Sequence, residues 1–321
     1  MKHVAIAAII TATFMAAGPA VAEWPNDKPI RVLVGFGPGG GTDIVTRIIA
    51  QPLSELLHQT VVVENKPGAG GSIASGEVAN AAKDGYTASV ISTGHTVSAV
   101  MLKSIKYDAV TDFAPVALLA DSAFVVVARK DFPANDIKGL VALAKASPGK
   151  LNFASVGVGS TQHFAGELLK QSTGIDVKHI PYRGTPGVVA ALLAQQVDYA
   201  IDLAHAVRGQ VEAGQLKLLA VGTPGRWPTI PTVPTVAESG VPGYSVTGWY
   251  GWVYPAGTPK AIVDKTSAAL KQILARPEIK DKMANVGAAV HEMGAAEFGQ
   301  FMANEVAKWK AVRDKAGLEP Q

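Results

Sequence analysis

From residue 30 onward, short apolar runs alternate with segments whose apolar residues recur at helical spacing. Ile30–Val34 has the length and β-branched content of a strand. Asp43–His58 aligns Ile44, Val45, Ile48, Ile49, Leu53, Leu56 and Leu57 on one stripe and predicts a helix. Pro52 falls inside it and is expected to kink or interrupt it, because it lacks an N–H and crowds the preceding turn. Thr60–Glu64 reads as a strand, Ser72–Ala82 as a helix and Tyr86–Thr93 as a strand. Repeated β-α-β units joined by Gly/Pro turns predict an α/β protein with parallel sheets.

Between Phe113 and Lys130 the pattern changes. Pro115–Ala120 and Phe124–Ala128 are apolar runs broken by Asp121-Ser122, which reads as the chain crossing from one lobe to another. A second series then begins, with helix Ile137–Ala146, strand Leu151–Ser155, helix Thr161–Thr173 and strand Val177–Pro181. Helix Val188–Gln195, strand Val197–Asp202, helix Ala206–Ala213 and strand Leu216–Val221 continue it. Five prolines between residues 224 and 243 predict an ordered, irregular connection. Val246–Tyr254 is a returning strand, and helices from Lys260, Pro277 and Ala295 close the chain. Each lobe is thus expected to be a mostly parallel sheet flanked by helices. Lobe 1 comprises residues 23–123 and 247–321, and lobe 2 residues 124–246. Gly39–Asp43 and Gly157–Thr161 both follow a strand and precede a helix, as do Pro67–Gly70 and Pro181–Gly184. Both lobes therefore place Gly/Ser/Thr loops at strand C-termini, where open α/β sheets bind ligands.

The N-terminus changes the compartment. Lys2 and His3 precede an apolar stretch from Val4 to Ala17, and Ala20-Val21-Ala22 has the small-residue form of a cleavage site. Residues 1–22 are therefore expected to be a signal peptide, cleaved after Ala22, leaving 299 of the 321 residues in the periplasm. The apolar stretch is too short for a comfortable membrane span. Without Lys2 the 29 basic residues become 28 against 26 acidic ones, too even a balance for nucleic-acid binding. The absence of cysteine removes disulfides, thiolate zinc sites and thiol catalysis together.

Candidate chemistry centres on Gly35–Asp43. Gly35–Gly40 satisfies G-x-G-x-x-G, but Pro38 stiffens the turn, Asp43 places negative charge beside it, and export removes the protein from the NAD pool. The loop reads as a site for a small anion, with Thr42 or Asp43 as helix N-cap. Ser155–His163 is the second candidate, offering backbone N–H groups with Ser160, Thr161 and His163. His163 suits either a ligand or a cap for local backbone. Arg183 could pair a carboxylate, and Asp202, ending an apolar strand, suits a ligand or a helix cap equally. Trp249, Tyr250, Trp252 and Tyr254 fit a cleft floor or an aromatic core. No G-x-S-x-G elbow is present, His291-Glu292 lacks a second histidine, and the histidines have no metal-ligand spacing. No catalytic residue, metal or cofactor is expected.

Several ordered motifs resemble the Bug family, periplasmic receptors of tripartite tricarboxylate transporters. They are Phe36–Asp43, Glu64–Ser72, Asp84–Thr87, Tyr107-Asp108 with Phe113–Val116, Gly166–Leu169, His179–Gly184, Pro231–Glu238, and Trp249–Gly251 with Pro255–Pro259. The resemblance implies a type II periplasmic-binding-protein ("Venus flytrap") fold without catalysis, monomeric, delivering a small mono- or dicarboxylate to integral membrane subunits. It implies ligand contacts from Phe36, Gly41, Thr42, Asp43, Gly70, Ser72, Thr93 and His95. Ser160, Thr161, His163, Arg183 and Asp202 would face them. The chain departs from the pattern after His95, with Ser98-Ala99 where the family has Asn-Pro. A receptor for a membrane sensor kinase and an exported α/β enzyme are the alternative functions.

Overall fold

The computed structural model describes residues 24–321; the expected signal peptide lies outside the described residues. Among the described residues, ten strands form one continuous hydrogen-bonded array. β1 (Ile30–Val34) is flanked in parallel by β2 (Val61–Asn65) and β3 (Thr87–Ser92). β4 (Phe113–Arg129) runs through both halves of the array. In the second half, β5 (Asn152–Ser155) lies parallel to both β6 (Lys178–Pro181) and β7 (Tyr199–Leu203). β8 (Leu216–Val221), β9 (Thr247–Pro255) and β10 (Ala288–Gly294) all pair antiparallel with β4.

The sheets are consequently mixed. Parallel ladders form where a helix carries the chain back between neighbouring strands, as the β-α-β pattern requires. β4 takes the chain out of the first half and β9 brings it back, so these two run in opposite directions. From Phe113 to Ala123, β4 pairs with β9; from Phe124 to Ala128 it pairs with β7. The partner change falls just after Asp121-Ser122, the polar break in the apolar pattern.

Among the described residues, ten α-helices cover the faces: α1 (Gly41–Leu57), α2 (Ser72–Ala79), α3 (Thr93–Met101), α4 (Ile137–Ala146), α5 (Thr161–Thr173), α6 (Thr185–Leu193), α7 (Ala204–Glu212), α8 (Lys260–Ala275), α9 (Pro277–Asn285) and α10 (Ala295–Ala316). In the first half, Ile30 and Val32 pack with Val45, Ile49 and Leu53 of α1, and with Trp252 and Leu270. In the second, Val125 and Val127 pack with Val188, Leu192 and Trp227. α10 lies against α3 and α5, and its Trp309 meets Phe164 edge-on at 5.9 Å.

One expectation needs correction, and two elements were not foreseen. α1 passes through Pro52 without a break, because burial of Val45, Ile49 and Leu53 outweighs the roughly 3 kcal/mol that an internal proline costs. α3 was not legible: Thr93–Met101 contains Gly94 and β-branched residues, and almost every side chain is buried, so no amphipathic stripe marks it. β10 was also missed, since its pairing with β4 is long-range and irregular, with a register shift between Val290 and Met293.

Candidate functional site

A cavity of about 450 Å³ opens where the C-terminal ends of β1, β3 and β5 feed into α1, α3 and α5. Gly40, Gly41 and Thr42 come from the start of α1, Ser92, Thr93 and Gly94 from α3, and Ser160, Thr161 and Gln162 from α5. Three helix N-termini therefore converge, each presenting backbone N–H groups that lack intrahelical acceptors and carry partial positive charge. The caps Gly40 and Ser92 make no side-chain capping bond; Ser160 Oγ accepts the His163 amide at 3.2 Å. Phe36, Met101, Leu102, Phe124, Val156 and Trp249 supply apolar wall. No Lys, Arg, His, Asp or Glu lines the cavity among the described residues.

Glycine makes the first wall possible. A Cβ on Gly35 would lie 2.4 Å from the Gly71 Cα, so the β1–α1 turn and the Gly68–Gly71 loop touch backbone to backbone. Gly70 holds φ +65°, where a Cβ would strike Ser98 Oγ at 2.2 Å. Ser98 itself lines the cavity and donates to the Ala69 carbonyl at 3.3 Å.

Of the expected contacts, Phe36, Gly41, Thr42, Gly70, Thr93, Ser160 and Thr161 line the cavity. The other six do not, each for a physical reason. Asp43 is not the N-cap, which is Gly40; it is buried behind the loop. Its carboxylate accepts from the Gly39 amide at 2.9 Å, Arg47 Nε at 3.0 Å and Asn65 Nδ2 at 2.9 Å. Burial raises its pKa, but these bonds prevail and hold it below the usual carboxylate value. Asp43 braces the glycine loop and does not line the cavity. Thr42 is likewise not the cap, but its place in the first turn leaves it on the cavity wall.

Ser72 heads α2, two residues past the lining residue Gly70, and is not itself part of the lining. His95 is buried, with Nδ1 3.0 Å from Ser75 Oγ and Nε2 2.9 Å from the Ala109 carbonyl. Burial pushes its pKa down to about 4. His163 accepts the Gly159 amide on Nδ1 at 3.2 Å and stacks on His179 at 3.9 Å, so the backbone-capping role is the one realised. Burial lowers the pKa of His163 to about 4 and of His179 to about 3. Arg183 is exposed on the turn after β6 and does not reach the cavity. Asp202 is buried behind the wall, where Oδ1 accepts from the Leu203 amide at 2.8 Å and from Gln162 Nε2 at 3.3 Å. Burial raises its pKa.

The structure adds Ser122, Phe124, Val156 and Gln162 to the lining and places Trp249 and Tyr250 there, whereas Trp252 and Tyr254 belong to the aromatic core. Ser122 had a signal: it is a polar residue inside a long apolar strand. Ser155 Oγ lies 2.7 Å from His179 Nε2, a pairing the sequence did not reveal. Ser155 is fully buried, does not line the cavity, and also bonds the Gly157 carbonyl, so the pair braces the β5–α5 loop. No cluster of three His, Cys, Asp or Glu suited to a metal occurs among the described residues. No described helix is long and apolar enough to cross a membrane.

A mixed α/β array with strand ends and helix N-termini converging on one cleft is the form of a periplasmic solute-binding receptor. The family model for the tripartite tricarboxylate transporter family receptor matches residues 45–318, and the chain belongs to that family. It is 36% identical to the structure of the periplasmic binding protein BugD, with a TM-score of 0.77 over 92% of this chain and 99% of that one. An R. palustris protein with adipate is 32% identical, with a TM-score of 0.81 over 93% and 100% of the two chains. MatC from Rhodopseudomonas palustris with bound malate is 32% identical, with a TM-score of 0.76 over 89% and 99%.

Proposed function

We propose that this receptor captures a small mono- or dicarboxylate in the cleft and delivers it to the integral membrane subunits of a tripartite tricarboxylate-type transporter. The carrying observation is the convergence of three helix N-termini on a cavity whose lining, among the described residues, has no charged side chain. Such a site offsets a carboxylate with fixed N–H donors. Adipate and malate on two relatives support the same ligand class. On this reading the protein works as a periplasmic monomer after cleavage following Ala22. A thermal-shift screen of aliphatic, hydroxylated and aromatic carboxylates tests it. A cognate ligand at 100 times its dissociation constant should stabilise the fold by about 2.7 kcal/mol. Stabilisation by neutral sugars or cationic amines, with none from carboxylates, overturns the proposal.

Capture requires motion if the ligand is to be enclosed. Residues 23–123 with 247–321 would form one lobe and 124–246 the other, meeting where β4 changes partners after Ala123. Val246 marks the return, since its amide bonds the Gly222 carbonyl at 2.8 Å before β9 begins at Thr247. Bending at these two points should close the cleft. X-ray scattering in solution should show a smaller radius of gyration at saturating ligand. An unchanged radius with binding established by calorimetry would mean a rigid pocket.

A further inference from the structure

Ser122 is an anomaly in the floor of the cavity. Its hydroxyl is buried and lines the cleft, and it makes no well-formed hydrogen bond, the Tyr250 hydroxyl being its near neighbour. A buried hydroxyl without a partner is destabilising, and alanine would fill the same place without that penalty. The β4–β9 register sets Ser122 opposite Gly248 and Ala120 opposite Tyr250, so Ser122 and Tyr250 share one sheet face as diagonal neighbours. Two glycines make room for their hydroxyls. A Cβ on Gly248 would lie 2.3 Å from Ser122 Oγ, and one on Gly41 would lie 2.4 Å from Tyr250 Oη. Burial raises the Tyr250 pKa and the nearby Ser122 hydroxyl partly offsets this, so the phenol stays protonated and able to donate.

Resting on the carboxylate-receptor reading, we infer that Ser122 Oγ and Tyr250 Oη donate to one ligand carboxylate, seated against the first turn of α1. The two hydroxyls and the free N–H groups beside Gly41 then form a carboxylate subsite containing no cation. Its location carries a consequence. Ser122 lies on β4 one residue before Ala123, and Tyr250 lies on β9, so the ligand sits on the two strands that join the halves. Ser122 and Tyr250 act through their hydroxyls as binding residues, while the Tyr250 ring belongs to the hydrophobic core.

The test uses the mature chain with adipate, malate, hexanoate and benzoate as probes, taking the tightest of the four for calorimetry. Ser122→Ala and Tyr250→Phe are each expected to raise its dissociation constant about 10- to 100-fold, as for a lost hydrogen bond to a charged group. The ligand-free melting temperature of Ser122→Ala should stay level or rise, which a structural hydroxyl would not allow. Wild-type affinity in both variants overturns this inference and leaves the carboxylate reading intact. So does a fall in ligand-free stability for Ser122→Ala with unchanged affinity. If the unmodified protein binds none of the four probes, the carboxylate reading for this site falls, and the subsite with it.

Discussion

Gly41→Val is expected to abolish carboxylate binding while leaving the fold in place. Gly41 opens α1 and lines the cavity, and a Cβ there would lie 2.4 Å from Tyr250 Oη. That contact is with the phenol oxygen at the tip of a ring bordering a cavity of about 450 Å³, so a shift of the side chain toward the open space, with the backbone in place, is the expected relief. The valine methyls and the displaced phenol would then occupy the volume beside the α1 amides where the carboxylate belongs. The dissociation constant should rise at least about 100-fold, roughly 2.7 kcal/mol. Thr42→Val keeps the shape of the wall and removes one hydroxyl, so about 1–3 kcal/mol of binding free energy is expected to go. Calorimetry on both variants, with far-ultraviolet circular dichroism to verify folding, decides the matter. Wild-type affinity in both would make the glycine loop a turn and nothing more.

Acid should destabilise the protein through its buried histidines. In the unfolded chain these groups protonate near pH 6.5. In the folded chain burial delays this to about 4 for His95 and His163, and to about 3 for His179. Between those values the unfolded state holds more protons. The histidines' contribution is therefore complete above pH 6.5 and is lost as pH falls toward about 4. Each fully buried histidine contributes up to about 1.4 kcal/mol per pH unit in this window. His179 is only half-buried, and its stacking on His163 at 3.9 Å makes the pair resist a second charge. Asp121 and Asp202, whose pKa values burial raises, work in the opposite sense. His95→Gln isolates one term, since glutamine can still donate to the Ala109 carbonyl. Denaturant unfolding across the window should show a shallower pH slope in the variant, by up to about 1.4 kcal/mol per pH unit. Parallel slopes for the two proteins would remove His95 as a source of acid sensitivity.

Periodicity along the chain located most of the fold, because most of its elements bury one face against the array. Ile30–Val34, Ile137–Ala146, Thr161–Thr173 and Leu216–Val221 have the same limits in the structure as in the pattern. The starts of α8, α9 and α10 at Lys260, Pro277 and Ala295 were equally legible. In α3 the pattern failed because the element is buried nearly all round, and in β10 because a distant strand supplies its hydrogen bonds.

The glycine loops and their polar followers were local signals, so Gly41, Thr42, Gly70, Ser160 and Thr161 could be read as cavity wall from the chain alone. Tertiary structure decided which polar side chains face the cavity. Asp43 and His163 sit beside those same loops, yet they turn inward to accept the Gly39 and Gly159 amides. His95 and Asp202 lie beside cavity residues in sequence but point into the core behind them. Ser122 and Tyr250 lie far apart in sequence, and only the β4–β9 register sets them on one face. Backbone donors at helix ends are encoded within a few residues of sequence. The direction of a side chain is settled by whichever partner the folded neighbours leave unpaired.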